Sequence, residues 1–263
     1  MIFPGEHLAP VMLSAVRNFT ENYPDSRASL SLSAYYNSTS QSVYWATYLF
    51  FGGSTPPEGL FSEFLAQNWT LNEYGPKSYL EAISFADDTV ITGESVQIAG
   101  ETTPLPSAEY GAEVFGSYLE HFLATAKSQG SSIPGLTLVF TFQPIPKRLA
   151  SQSIAAGGDI LSLDDKHDRI MFEINTWSPA VKYDVQVAKL IKDIFDGVKQ
   201  RVDGFVKEKK LVDAYRPLFM NDANWQQDFF GRIRAETRTF LKAVRAKYDS
   251  DGFFTRRTGG FKF

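Results

Sequence analysis

Glu173 is the side chain whose type and position most suggest chemistry in this sequence. It lies between Phe172 and Ile174 in an alternating segment, a pattern that predicts a mid-strand position with its carboxylate opposite those two apolar residues. A carboxylate on a partly dry sheet face can have a raised pKa, so Glu173 is a candidate acid or base. An ordinary exposed glutamate with a cross-strand partner is the alternative.

Other kinds of catalytic group find little support. The sequence contains no cysteine, which excludes disulfides, Cys-ligated metals and thiol nucleophiles. His7, His121 and His167 are spread over unrelated segments without metal-ligand spacing, so no metal site is predicted. Ser153 lacks the surrounding motif of a serine nucleophile.

The C-terminal segment carries the most specific motifs. Between Arg216 and Phe263 the sequence runs through MNDA, QD, a helical stretch, KYDSDGFF and GGFKF. This order resembles the berberine-like tail of FAD-linked oxidoreductases, the berberine bridge enzyme-like group of the vanillyl alcohol oxidase superfamily, and is closest to its fungal members. Upstream, residues 143–147, 157–159 and 175–177 follow the order of that family's substrate domain.

The resemblance also implies a cofactor and roles for two residues. The family uses FAD, but its N-terminal flavin domain has no counterpart in this sequence, so we expect this chain alone to bind no cofactor. Asn221 would contact flavin or substrate if flavin is supplied, and Asp222 would be a candidate catalytic base. Alternatively, both residues simply cap a helix that begins near Asn224. The sequence departs from the family at residues 232–234 and at Thr237, which suggests relaxed flavin contact.

Composition restricts the partners. The chain has 263 residues, a net charge of −4 and a pI near 5.5, which argues against a nucleic-acid or anionic-membrane partner. No run of about 20 apolar residues is present to span a membrane. The N-terminus lacks the pattern of a signal peptide, which favours a soluble, intracellular protein and leaves localisation otherwise open.

Hydrophobic periodicity predicts an α+β fold, an antiparallel sheet of several strands with helices packed on one face. The predicted strands cover 29–36, 43–51, 136–142 and 169–177. The predicted helices cover 7–23, 108–128 and 179–206, with short ones at 60–66 and 78–84 and irregular structure through the rest of 67–107. In the tail, an apolar stripe is predicted at Phe229, Ile233, Phe240, Val244 and Tyr248. We expect residues 1–215 to form a substrate-domain-like region on which the tail, 216–263, packs as one compact unit.

The sheet face without helices is predicted to carry polar residues. It would present Ser29, Ser31 and Ser33 from one strand and Glu173, Asn175 and Trp177 from another. In the family this face looks at the flavin, and without the flavin domain Trp45 and Trp177 would be partly exposed. The candidate substrate contacts are Trp177, Asn175, Trp45 and Gln143.

Three functions remain open at this point. In the first, the chain is the substrate-binding part of a FAD-linked oxidoreductase that acts on a small organic substrate, as in fungal secondary metabolism. It is alternatively a flavin-independent isomerase or cyclase that has kept the pocket. The third option is a non-catalytic partner subunit, which would bind a separate flavin domain or a second copy through the bare sheet face.

Overall fold

Six antiparallel strands form one sheet in the order β1-β3-β2-β5-β6-β4. The structure is a computed structural model that describes residues 1–23, 25–84 and 92–262. The strands are β1 (Ile2–Pro4), β2 (Ala28–Asn37), β3 (Ser42–Phe51), β4 (Ser95–Pro104), β5 (Thr137–Ile145) and β6 (Arg169–Ser178). The described part of the chain also contains eight α-helices, so the predicted α+β class is confirmed.

Three of the described helices cover one face of this sheet. The bounds of the α-helices are α1 (Ala9–Asn22), α2 (Ser62–Leu65), α3 (Tyr79–Ser84), α4 (Gly111–Thr125), α5 (Lys147–Ala155), α6 (Asp184–Lys207), α7 (Ala235–Tyr248) and α8 (Phe253–Arg257). Helices α1 and α6 pack on the strands, and α4 packs on both of these helices. The apolar residues of α4 and α6 recur every three or four positions, and the stripes they form are buried.

The core between helices and sheet is rich in aromatic rings. Phe140, Phe142 and Phe172 from β5 and β6 contact one another edge-on or tilted, with ring centroids 4.8 to 5.1 Å apart. Phe122 from α4 stacks on Phe140. All four side chains are almost completely buried, and each such burial stabilises the fold by roughly 2–3 kcal/mol. This packing holds β5 and β6 rigidly and thereby fixes the residues on their opposite face.

The prediction of irregular structure in 67–107 is wrong at its C-terminal end. Residues 95–104 form β4, the edge strand that pairs with β6 along its whole length. The segment SVQIAGETTP gave no strand signal because its buried positions are largely small or polar. The predicted short helix at 78–84 is confirmed by α3, whereas residues 85–91 lie outside the described part of the chain.

The apolar stripe predicted for the tail is also wrong. Phe229 and Ile233 are buried, but they precede α7, and they pack with Leu218 and Ala223 in a small separate core. Phe240 and Tyr248 lie on α7 and are exposed. The predicted α-helical spacing therefore extended across a segment that forms turns and a short 3-10 helix, Phe230–Arg232, and that hydrogen bonds join to β4.

In the described ranges no helix has the length and apolarity needed to cross a bilayer.

Candidate functional site

The sheet face opposite the helices carries the polar residues that the sequence predicts there. Antiparallel register places Ser33, Thr141, Glu173 and Gly100 in one row across β2, β5, β6 and β4. Ser33 and Thr141 join their hydroxyl groups at 2.9 Å. Because side chains alternate along each strand, residues two positions away in each strand form the neighbouring rows of this open face. We call it the open face below.

Two carboxylates meet at the centre of the open face. The Nε2 of Gln143 donates to Glu173 Oε2 at 3.2 Å and to Asp222 Oδ2 at 2.9 Å. The Nδ2 of Asn175 donates to Glu173 Oε1. Both oxygens of Glu173 therefore accept side-chain amide hydrogens, and one amide bridges Glu173 to Asp222. These four residues form the carboxylate cluster.

Asp222 reaches this cluster because Gly100 leaves space for it. A Cβ at position 100 would lie 3.4 Å from both Asp222 Cβ and the Asp222 carbonyl oxygen. The side-chain amide of Gln227 also brackets Gly100, accepting from its N–H at 3.2 Å and donating to its carbonyl at 2.7 Å. Asn224 Nδ2 donates to the Ile98 carbonyl at 2.6 Å. The tail thus satisfies backbone groups of the edge strand β4 and holds Asp222 over it.

A buried ion pair fixes the same segment further along β4. Arg232 donates to both carboxylate oxygens of Glu101, at 3.1 and 2.5 Å, and its Nε donates to the Arg216 carbonyl at 2.9 Å. Glu101 is only 2% exposed. Arg232 belongs to the stretch that departs from the family pattern. Its contact is with the sheet edge, so the departure supplies the counter-ion that a buried glutamate requires.

The pKa of Asp222 is raised from its ordinary value of 3.8 to about 6. Burial is the main cause, since Asp222 is only 6% exposed, and the negative charge of Glu173 adds to it. The hydrogen bond from Gln143 opposes both effects. Burial, helped by Tyr48, Tyr44 and Glu173, also raises the pKa of Tyr35, which therefore stays neutral. Asp222 can be either protonated or ionised near neutral pH.

The structure brings together most of the residues predicted for the site. Glu173, Gln143, Asn175 and Asp222 form the cluster, and Trp177 is partly exposed on the open face near them. Asn221 is exposed in the turn that leads into Asp222. Its role as a flavin contact stays a prediction.

Two expectations are corrected. Trp45 is completely buried under the helices, because it shares the face of Ala34 opposite it in β2. It cannot contact a substrate on the open face. Asn221 and Asp222 also do not cap a helix near Asn224, since that segment forms turns and α7 begins at Ala235.

Sequence reasoning missed Gly100 and the tyrosines of the open face. Tyr35 and Tyr44 lie opposite each other on β2 and β3, with stacked rings whose centroids are 4.6 Å apart. The signal for Tyr35 was its position between Ala34 and Tyr36 in an alternating strand, which places it beside Ser33 on the open face. Nothing in the sequence marked Gly100.

Comparison with known proteins finds sequence relatives that are FAD-linked or FAD-dependent. An uncharacterized FAD-linked oxidoreductase from Arthroderma benhamiae is 30% identical over 264 residues, which is 100% of this chain and 52% of that protein. The FAD-dependent monooxygenase tpcD from Cochliobolus heterostrophus is 30% identical over 119 residues, 45% of this chain and 22% of that protein. No protein-family model matches the chain.

Solved structures agree on the fold. The 6-hydroxy-D-nicotine oxidase from Arthrobacter nicotinovorans superposes with a TM-score of 0.60 at 12% identity, covering 96% of this chain and 52% of that one. A variant of berberine bridge enzyme superposes with a TM-score of 0.56 at 12% identity, covering 93% and 46%.

The fold is therefore that of about half of a berberine bridge enzyme-like oxidase. In sequence, the chain is a relative of FAD-linked oxidoreductases, and it spans about half the length of the first of these relatives.

FAD is implied by these relatives, and the open face fits one end of it. The stacked Tyr35–Tyr44 pair and Trp177 line a concave surface suited to a planar ring system. Among the described residues that line it, Lys77 is the single cationic side chain, so the diphosphate finds no matching basic cluster there. The residues present fit one planar ring system, that of the cofactor or that of the substrate, and they do not fit the diphosphate end of FAD.

Proposed function

We propose that this chain forms the substrate-binding part of a FAD-linked oxidoreductase acting on a small organic molecule, with Asp222 as the proton acceptor. The observation that carries the proposal is the pairing of Asp222 with Glu173 through Gln143. The sequence relatives are FAD-linked, which supports the redox class. A flavin-holding segment or partner over the open face is part of the proposal.

The two carboxylates of the cluster have different roles in this proposal. Glu173 is held by amide hydrogens on both oxygens, so its geometry is fixed and it acts as a charged neighbour. Asp222 accepts one of these bonds, and its pKa of about 6 leaves it mostly ionised at neutral pH. Ionised Asp222 accepts a proton from a substrate O–H or C–H group, and the repulsion from Glu173 is relieved when it does. FAD, when bound, supplies the acceptor for the substrate's hydride.

A flavin-independent isomerase or cyclase is the second candidate. The observation that favours it is the same pKa of about 6, because a group that titrates near neutrality can return the proton it has taken. Such a reaction needs an acid–base group and a pocket that holds the substrate folded, and no redox cofactor.

The visible absorption spectrum of the protein purified from its natural source, taken with a substrate-containing extract, separates the candidates. We expect flavin bands that bleach anaerobically when the extract is added, and a bleaching rate about 10²–10⁴ times slower in Asp222→Asn. The exposed Asp213→Asn is the matched control and should bleach like the natural protein. If a protein without flavin bands converted a compound of the extract into a product, the flavin-independent isomerase or cyclase would be supported. Equal bleaching in Asp222→Asn and Asp213→Asn would contradict the role of Asp222.

A further inference from the structure

A second feature of the open face lies to the side of the carboxylate cluster. A cavity of about 580 Å³ opens beside β1 and β3, and residues of β2, β5 and β6 complete its lining. This volume is within the range of about 300–1,000 Å³ that small-molecule sites occupy. Its aromatic wall consists of Tyr35, Tyr44, Tyr48, Phe50, Tyr74 and Trp177.

The aromatic wall can contact a ligand through flat rings and hydroxyl groups and not through charged groups. The planes of Tyr35 and Tyr44 are 12° from parallel, and these neutral phenols present ring faces together with hydroxyl groups. The charged groups of the lining are the carboxylates of Glu73 and Glu94, the ammonium of Lys77 and the N-terminal ammonium of Met1, so the two signs balance within the cavity itself. Glu173 and Asp222 add carboxylates at the neighbouring cluster. An anionic ligand would be repelled here and would meet no guanidinium group among the described lining residues.

The distance between cavity and cluster sets the size of a ligand that uses both. Trp177, Asn175 and Glu173 follow one another on the open face of β6, at about 7 Å per pair of residues. The cavity wall at Trp177 is thus about 13 Å along the strand from Glu173. A single aromatic ring seated beside Trp177 cannot also reach Asp222, so a ligand that uses both places must be an extended molecule with several rings.

We infer that the cavity binds the uncharged, planar body of a substrate with at least two aromatic rings bearing hydroxyl groups, while the reacting end reaches the carboxylate cluster. This inference rests on the proposed function for the reacting end only. The aromatic wall favours a planar ligand. The carboxylates of the cavity and of the carboxylate cluster together outnumber the cationic groups, which favours an uncharged ligand. The tyrosine hydroxyls favour a ligand that donates or accepts hydrogen bonds.

Isothermal titration calorimetry of the purified chain, without flavin or turnover, tests the inference with four probes. We expect affinity to rise about tenfold from phenol to 2-naphthol, because the second ring buries more apolar area. 2-Naphthoate, the anionic counterpart, and decahydro-2-naphthol, the non-planar one, should each bind about tenfold more weakly than 2-naphthol. Calorimetry measures binding and no reaction, so its result does not depend on whether Asp222 acts as the proton acceptor.

A matched pair of variants locates the site. Tyr44→Leu removes one ring of the stacked pair and should weaken 2-naphthol binding about tenfold, whereas Tyr248→Leu on exposed α7 should not change it. Trp177→Leu serves as a second variant should Tyr44→Leu fail to fold, with the same weakening expected. Binding of 2-naphthoate as tight as 2-naphthol, equal affinities for phenol and 2-naphthol, or wild-type binding by the folded cavity variant would overturn the inference.

Discussion

Gly100 and Asp222 are in contact across the edge of the sheet, and the missing side chain of Gly100 is what admits Asp222 to the carboxylate cluster. A Cβ at position 100 would sit 3.4 Å from two atoms of Asp222, at the tight end of ordinary contact. The position of Asp222 in the tail therefore depends on a glycine in the edge strand β4.

Gly100→Val should displace Asp222 from the cluster. The branched side chain occupies the space over which Asp222 lies, so Asp222 moves toward solvent and away from Glu173. Its pKa then falls from about 6 toward 3.8, which an NMR titration of the side-chain carboxyl carbon would record. Gly204→Val in α6 is the control, since nothing lies within 4 Å of a Cβ at that position. An Asp222 titration that stays near 6 in Gly100→Val would argue against this account.

Asp222→Asn should stabilise the protein at neutral pH. Because the folded-state pKa of about 6 is above the ordinary 3.8, the folded state binds protons more tightly between these values. The free energy of unfolding that depends on Asp222 therefore falls as pH rises from 4 to 6, by up to about 3 kcal/mol. In Asp222→Asn this fall is absent, so above pH 6 the variant has a larger free energy of unfolding than the natural protein. Urea unfolding at both ends of this window measures the difference, with exposed Asp213→Asn as the control, and an equal pH dependence in both variants would refute the prediction.

Glu173→Gln and Gln143→Leu should move the pKa of Asp222 in opposite directions. Removing the negative charge of Glu173 lowers it toward 3.8, whereas removing the hydrogen bond from Gln143 raises it above 6. The acidic limb of the pH–rate profile should follow the same order once a substrate is available. Gln152→Leu, at an exposed position, is the control for the second variant. Shifts of the same sign would show that the two residues do not act on Asp222 as described.

Arg232→Met should destabilise the protein by about 3–5 kcal/mol, because it leaves the buried Glu101 without its counter-ion. The double variant Glu101→Leu with Arg232→Met should recover much of this loss, since neither charge is then buried. Arg257→Met on exposed α8 should change the free energy of unfolding by less than about 0.5 kcal/mol. Chemical denaturation of the three variants is the measurement. A double variant as unstable as Arg232→Met would locate the effect in packing and not in charge.

The sequence predicted the long elements well and the site in part. Regular apolar spacing identified α1, α4 and α6 and the strands β2, β5 and β6, because packing on one face imposes a period, and a continuous apolar run identified β3. Alternation around Phe172 also placed Glu173, Asn175 and Trp177 on the open face correctly.

Other features depend on contacts between distant segments. Strand β3 is apolar on both sides, so its pattern could not tell that Trp45 faces the helices and Tyr44 the open face. The strand β4 was hidden because its polar groups are satisfied by the tail and not by solvent. The meeting of Asp222 with Glu173 is likewise a product of tertiary packing, which local periodicity does not encode.

The bracket that Gln227 forms around Gly100 has a consequence for how the chain can be shortened. A deletion of the tail would remove Asp222, the proposed proton acceptor, and would also leave peptide groups of β4 unpaired, to which a neighbouring molecule could add a strand. Resistance to aggregation and the proposed catalytic group thus depend on the same short segment, and truncated forms should lose both together.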